Sequence, residues 1–386
     1  MLPYSRQSIN KQDIASVIKV LKSDFLTQGP KVIEFEKKIS QYVKSKYAVS
    51  SNSGSSSLHL ACLALSVKKN DIVWTVPNTF AASANCAINC GAKVDFVDID
   101  RKTWNIDIGS LEKKLAISQK KNKLPKILIP VHFGGQPTEQ EKIWKLSKKF
   151  KFKIIEDASH SIGSKHCGEM VGSCKWSDIT VFSFHPTKII TTGEGGMATT
   201  NDKKTAEKMR IFRTNGITKD YKLFKNKNNS GPWYYEQLES GYNYRMNDIA
   251  AALGISQLKR INQFIKKRNL IAKLYKDLLK NAPVEFQEIN NYNFSSYHLF
   301  IIKLNLKKFK YNYKKIFKLL REKNYFVNLH YMPLHLNPYF KKKGFKKNDF
   351  PVAEGFGKSA ISIPVYNDLK LKKISEICKT ILSFAK

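Results

Sequence analysis

The sequence predicts an α/β protein, a mostly parallel sheet with helices on both faces, followed by a smaller C-terminal domain. Three observations point there. Between positions 71 and 200 the runs D-I-V-W-T-V, V-D-F-V-D-I, K-I-L-I-P-V-H-F and K-F-K-I-I-E-D alternate with helical stretches, the pattern of parallel strands joined by crossover helices. At 386 residues the chain exceeds what one ordinary core organises. G-Y-N-Y-R-M-N-D-I-A-A-A-L-G then opens a long helix running to about Ala282, beyond which a strand and helix pattern resumes. The expected divisions are 1–245 for the large domain with its N-terminal helices, 246–282 for the connecting helix and 283–386 for the small domain.

Local signals give the elements in order. Asn10 caps a helix over 10–24, with Ile14, Val17, Ile18 and Leu21 on one face. After the glycine loop F-L-T-Q-G-P, Pro30 opens a second helix that carries Phe35, Ile39, Tyr42 and Val43 inward. A short strand over 47–49 runs into S-S-N-S-G-S-S-S-L-H-L-A-C-L-A-L, a small-residue loop leading into an apolar helix. Backbone N–H groups and the hydroxyls of Ser55 and Ser56 can converge there on an anion, although a serine run also serves as a plain N-cap. P-N-T-F-A-A-S-A-N puts Phe80 just past a strand end, where an aromatic can stack on a flat ligand or pack into the core. Positions 214–241 are polar, aromatic and irregular, a long loop of the functional or mobile kind. The small domain is expected to hold a strand over 297–304, a helix over 313–323, the segment F-V-N-L-H-Y-M-P-L-H and a final helix.

Chemistry concentrates in D-I-T-V-F-S-F-H-P-T-K-I-I-T-T-G-E-G-G-M. A buried strand over 179–184 gives out into Ser183, His185, Thr187 and Lys188 ahead of a glycine turn. The apolar flank of Ile189 and Ile190 is expected to desolvate Lys188, which lowers its pKa and suits the amine to a Schiff base. Upstream, K-I-I-E-D-A-S-H ends another strand with Asp157 and His160. Open α/β sheets bind ligands at the carboxyl ends of their strands, so Asp157 and Lys188 are expected to face one another across one crevice. A carboxylate opposite a Schiff-base lysine suggests pyridoxal phosphate, whose protonated ring nitrogen makes an electron sink. A strand-end turn cap is the plainer alternative for Asp157.

Composition narrows the classes. The hydrophobic content of 42% is that of a soluble globular protein, and no apolar run approaches the roughly 20 residues that span a bilayer. With no signal-peptide core in M-L-P-Y-S-R-Q-S, a cytoplasmic protein is expected. The six cysteines are scattered without a C-x-x-C pair, and His160, His166, Cys167 and Cys174 lack zinc-site spacing, so no metal is expected. The net charge of +36 raises nucleic acid as an alternative partner. The lysines are nonetheless dispersed, and the densest groups, K-K-F-K-F-K and F-K-K-K-G-F-K-K, belong to no nucleic-acid-binding motif.

The series L-T-Q-G-P, S-G-S-S-S-L-H-L, P-N-T-F-A-A-S-A-N, F-V-D-I-D, V-H-F-G-G-Q-P, E-D-A-S-H-S-I-G, F-S-F-H-P-T-K, E-G-G-M, R-T-N-G and G-Y-N-Y-R-M-N-D-I-A-A-A-L-G-I-S-Q-L resembles the DegT/StrS family of sugar-nucleotide aminotransferases. It covers nearly the whole chain in order. The resemblance implies the pyridoxal-phosphate transferase fold type I, with a mixed, mostly parallel sheet in the large domain and an α+β small domain. A dehydratase branch of the family has histidine in place of the Schiff-base lysine; Lys188 points to the aminotransferase branch. It also implies that Lys188 forms the Schiff base, Asp157 pairs with the ring nitrogen, Phe80 stacks on the ring, and Ser55, Ser56 and Ser183 bind the phosphate. His160 would lie near the 3-hydroxyl of the cofactor. Asn243 would reach the phosphate of the partner subunit in a homodimer. Tyr4, Thr27, Gln28, His185, His330 and Tyr331 would contact the sugar nucleotide. S-G-S-S-S stands where relatives often have Gly-Thr, and serine keeps the hydroxyl. L-P-Y-S-R-Q-S-I, W-Y-Y-E and N-L-H-Y-M-P-L-H-L-N-P-Y are similar to the branch that aminates a UDP-linked 4-keto sugar with L-glutamate in pseudaminic acid biosynthesis.

Overall fold

A computed structural model describes residues 1–226 and 231–386; positions 227–230 of the long loop expected over 214–241 lie outside the described residues. Its centre is a sheet of seven strands: β1 (Tyr47–Ser51), β2 (Ile72–Thr75), β3 (Lys93–Phe96), β4 (Ile127–Leu128), β5 (Lys153–Asp157), β6 (Ile179–Ser183) and β7 (Gly196–Thr200). They lie in the order β1-β7-β6-β5-β4-β2-β3. Only β7 runs opposite to the other strands, because it returns from β6 through the loop 184–195 rather than through a crossover helix.

Strand residues alternate between two cores, as period-two geometry requires. Ile155 and Val181 join Leu58 and Met209 of the helices α3 (Gly54–Ala64) and α7 (Lys203–Arg213) on one face. Phe182 points the other way, to Phe35 and Ile39 of α2 (Pro30–Val43). At the far end of the sheet Trp74, Phe96 and Phe133 pack with Phe340 and Phe356.

The second helix carries Phe35, Ile39 and Val43 into the core as expected. The first, α1 (Lys11–Leu21), behaves otherwise: Ile14, Ile18 and Leu21 are exposed, and the helix is anchored instead through Val20 and Asp13. Asp13 is fully buried and accepts hydrogen bonds from Ser256 at 2.6 Å and Gln257 at 2.8 Å, and also from Arg260. That contact coincides with a correction. The single connecting helix expected over 246–282 is two, α8 (Asp248–Leu258) and α9 (Ile261–Leu278), separated at Lys259 and Arg260.

The C-terminal part forms an antiparallel sheet of β8 (Val284–Phe286), β9 (Phe300–Leu304) and β10 (Ala360–Ile363) with β9 in the middle. The strand expected from 297 begins at Phe300. A helix over Tyr313–Glu322 and the last helix, Leu371–Ser383, supply its apolar cover through Ile316, Leu320, Ile374 and Ile377. The N-terminal pair Leu2–Pro3 runs parallel to Tyr325–Phe326, so the first residues of the chain are tied to this C-terminal part.

Candidate active site

The register brings four strand ends to one edge of the sheet. Asp157 at the end of β5 pairs with Val181, two residues before the end of β6, while Gly196 at the start of β7 faces both Ser183 and Ser51. Beyond that edge lies a cavity of about 830 Å³. Its walls include Tyr4, Ser55, Ser56, Phe80, Asp157, His160, Ser183, His185, Lys188, His330 and Tyr331. Thr27, Gln28 and Asn243 are not among them. All three are exposed, and Thr27 and Asn243 form backbone bridges with Asn247 and Thr214.

One end of the cavity is built by the start of α3. Ser53 is its N-cap and accepts from the Ser56 N–H at 3.1 Å, while the Ser56 hydroxyl donates to Asn52 at 2.6 Å. Free N–H groups and hydroxyls thus gather where the helix dipole is positive, a setting for an anion. Glycine makes the close approach possible. A Cβ on Gly54 would stand 2.9 Å from the Ser183 Cβ, and one on Gly196 would stand 2.3 Å from the Ser53 carbonyl oxygen.

At the other end, Asp157 is 4% exposed and accepts from the Ser83 hydroxyl at 2.6 Å and from the Ser159 N–H at 3.1 Å. Ser83 is in turn 2.8 Å from the Thr79 hydroxyl. Lys188 sits between the two ends. Its loop is fixed by Phe184 N–H to the Gly195 carbonyl at 2.9 Å and by the Ser5 hydroxyl to the Thr187 carbonyl at 2.7 Å. Burial draws the Lys188 amine down from 10.5 to about 8, against the opposing pull of the Asp157 carboxylate. Lys188 is half-buried, and an amine with depressed basicity near a carboxylate is a nucleophile or base at neutral pH.

The remaining wall is imidazole and phenol. His160 lies 3.1 Å from the Tyr331 hydroxyl, and its ring is 4.5 Å from that of His298. Burial, followed by the Lys188 charge, pulls His160 far below the usual histidine range. His330 falls to about 3 for the same two reasons, and its Nδ1 is 2.8 Å from the Ser362 hydroxyl. Both rings are neutral at physiological pH. Phe80, 60% exposed, stands 6.2 Å from the Tyr331 ring with a face open to the cavity. His185 is exposed at the rim, its Nδ1 3.0 Å from the Thr187 hydroxyl.

Ser83, Ser5 and His298 were not expected from sequence. Ser83 could have been found, since it follows Phe80 by three residues and opens, with Ala82, the helix Ala82–Ile88. Ser5 and His298 carry no local signal, because the groups they meet lie 182 and 138 positions away. Among the described residues no cluster of histidine, cysteine or carboxylate could hold a metal ion, and no helix is long and apolar enough to cross a membrane.

Comparison with known proteins gives a consistent result. The DegT/DnrJ/EryC1/StrS aminotransferase family model matches residues 7–382. A UDP-4-amino-4,6-dideoxy-N-acetyl-beta-L-altrosamine transaminase of Campylobacter jejuni is 39% identical over 99% of this chain and 97% of its own length. Among solved structures, Helicobacter pylori PseC, an aminotransferase involved in the biosynthesis of pseudoaminic acid, superposes with a TM-score of 0.88 at 31% identity, covering 100% of this chain and 99% of that one. A Streptococcus pneumoniae protein solved in a PLP form gives a TM-score of 0.88 at 27% identity, over 99% and 98% of the two chains.

Proposed function

The chain belongs to the DegT/DnrJ/EryC1/StrS aminotransferase family, and from that premise we propose that it aminates UDP-2-acetamido-2,6-dideoxy-β-L-arabino-hex-4-ulose, with L-glutamate as amino donor and pyridoxal phosphate as cofactor. The product is UDP-4-amino-4,6-dideoxy-N-acetyl-β-L-altrosamine, formed in the cytoplasm on the route to pseudaminic acid. The observation that carries the reading is the meeting of Lys188, Asp157 and the serine cradle in one cavity.

The residues present fit the cofactor. Ser55, Ser56, Ser183 and the first N–H groups of α3 would hold its phosphate, brought together by the close approach that Gly54 and Gly196 allow. Asp157, fixed by Ser83, would keep the ring nitrogen protonated, Phe80 would cover a ring face, and His160 would lie on the side of the 3-hydroxyl. When bound, the group supplies an electron sink for the carbanion that amino transfer requires. Lys188 is the residue that would hold it covalently, through Nζ. As a free amine, Lys188 would take the Cα proton of glutamate and, in the second half-reaction, deliver a proton to C4 of the sugar. With a pKa of about 8, roughly one tenth of the amine is unprotonated at pH 7, so the base is available without a helper.

Tyr4, Thr27, Gln28, His185, His330 and Tyr331 contact the sugar nucleotide. Thr27, Gln28 and Asn243 stand outside the cavity of their own chain, which supports a homodimer with shared sites, Asn243 reaching the phosphate of the neighbour. The test is to incubate the purified protein with glutamate and UDP-, dTDP- and GDP-linked 4-keto-6-deoxy sugars, and to identify the amino sugar formed. Amination of the UDP-linked N-acetyl sugar alone is expected. Preference for another nucleotide or sugar would replace the substrate while keeping the reaction, and no amino sugar from any would end the proposal.

A further inference from the structure

We propose that the Tyr331 hydroxyl donates a hydrogen bond to the ketone oxygen of the sugar, and that His160 is the positioning residue that fixes its direction. This rests on the amination of a keto sugar proposed above. The Gly134 N–H points at His160 Nδ1 from 3.3 Å, and a backbone N–H can only donate. Nδ1 is therefore an acceptor. In the neutral ring the proton then sits on Nε2, which faces the Tyr331 oxygen at 3.1 Å. His298, 2% exposed, closes the other side of the ring.

With His160 donating to its oxygen, Tyr331 has its own proton to give, and none of the described residues accepts it. The residue lines the cavity, and its backbone N–H is anchored by the Asn78 side chain at 3.0 Å. Burial and the Asp157 charge strengthen its hold on the proton, so it stays a neutral donor. A neutral donor suits a ketone. The carboxylates of glutamate would call for a cation, and the neighbouring His160 and His330 are neutral. During amination the ketone oxygen leaves as water, so a donor aimed at it gains strength as negative charge develops there.

The test separates the two half-reactions in the holoenzyme. Tyr331→Phe should slow the sugar half-reaction by about 100-fold, the scale of one lost oxyanion donor, while the glutamate half-reaction and the cofactor absorption spectrum hold within about two-fold. Equal losses in both half-reactions, or a shifted spectrum, would assign the hydroxyl to the cofactor and overturn the proposal. His160→Ala, which also alters the wall of the cofactor site, should slow the sugar half-reaction at least ten-fold more than the glutamate half-reaction, and His160→Gln, which restores a donor near the Nε2 position, should recover part of that excess. Nitrogen NMR of the protein without cofactor should show the Nε2–H tautomer for His160, and the Nδ1–H tautomer would also overturn it. Failure of the unaltered enzyme to aminate any keto sugar would count against the functional reading instead, and the tautomer would still decide the direction of the hydroxyl.

Discussion

A lysine amine placed where water is scarce gives up its proton more easily, and Lys188 does so at about 8 rather than 10.5. Raising the pH through 8 converts it to the free amine, the form that attacks an aldehyde. The rate at which cofactor-free protein takes up pyridoxal phosphate should therefore climb to about pH 8 and level off above it. A midpoint near 10.5 in stopped-flow absorbance would mean that the amine is solvated. Lys188 and Asp157 were legible in the sequence because each closes an apolar run, and strand ends at one sheet edge must meet. The Ser5 contact was not. Its hydroxyl reaches the Lys188 loop across 182 positions, a distance that only the assembled fold spans.

Elements show the same division between local and distant causes. Proline at the start of α2 announced the helix, but its exposed N–H groups are satisfied from far away. Asp248, fully buried, accepts from the Gly29 and Lys31 N–H groups, both at 2.8 Å, across more than two hundred residues of chain. Asp248→Ala should cost about 2 kcal/mol, read as a lower denaturant midpoint with unchanged slope, since one buried and one half-buried donor lose their acceptor. A midpoint within experimental error of the unaltered protein would show that α2 is held by packing alone. The break between α8 and α9 was missed for a related reason. Apolar periodicity continues through it, while the turn at Arg260 is fixed by buried Asp13 on another helix. Arg268 of α9 is buried and donates to the carbonyls of Tyr297, His298 and Val365, partners that no local pattern announces.

On the scale of the molecule, the large sheet and the following small domain were legible because alternation and length report on them directly. Assembly leaves a subtler trace. Ile14, Ile18 and Leu21 of α1 are exposed at 53%, 45% and 54%, and Phe25 and Leu26 continue that apolar surface next to Thr27 and Gln28. A surface of this kind beside residues proposed to contact the substrate supports the shared-site homodimer. Mixing Lys188→Ala with Asn243→Asp subunits should then restore part of the activity, because half of the sites in hybrid dimers carry neither change. No recovery despite demonstrated subunit exchange would place Asn243 outside the site of the neighbour.

The central claim is that this chain, with the Lys188 amine as its base, transfers the amino group of an amino acid to a nucleotide-linked keto sugar. Its most direct test is a reaction with isotopically labelled glutamate and the UDP-linked 4-keto sugar, followed by mass spectrometry and NMR of the sugar product. The account predicts label on the C4 nitrogen with the unaltered enzyme and none with Lys188→Ala, whose circular dichroism should be unchanged. Labelled product from Lys188→Ala at the normal rate, or an unlabelled sugar from the unaltered enzyme, would contradict it.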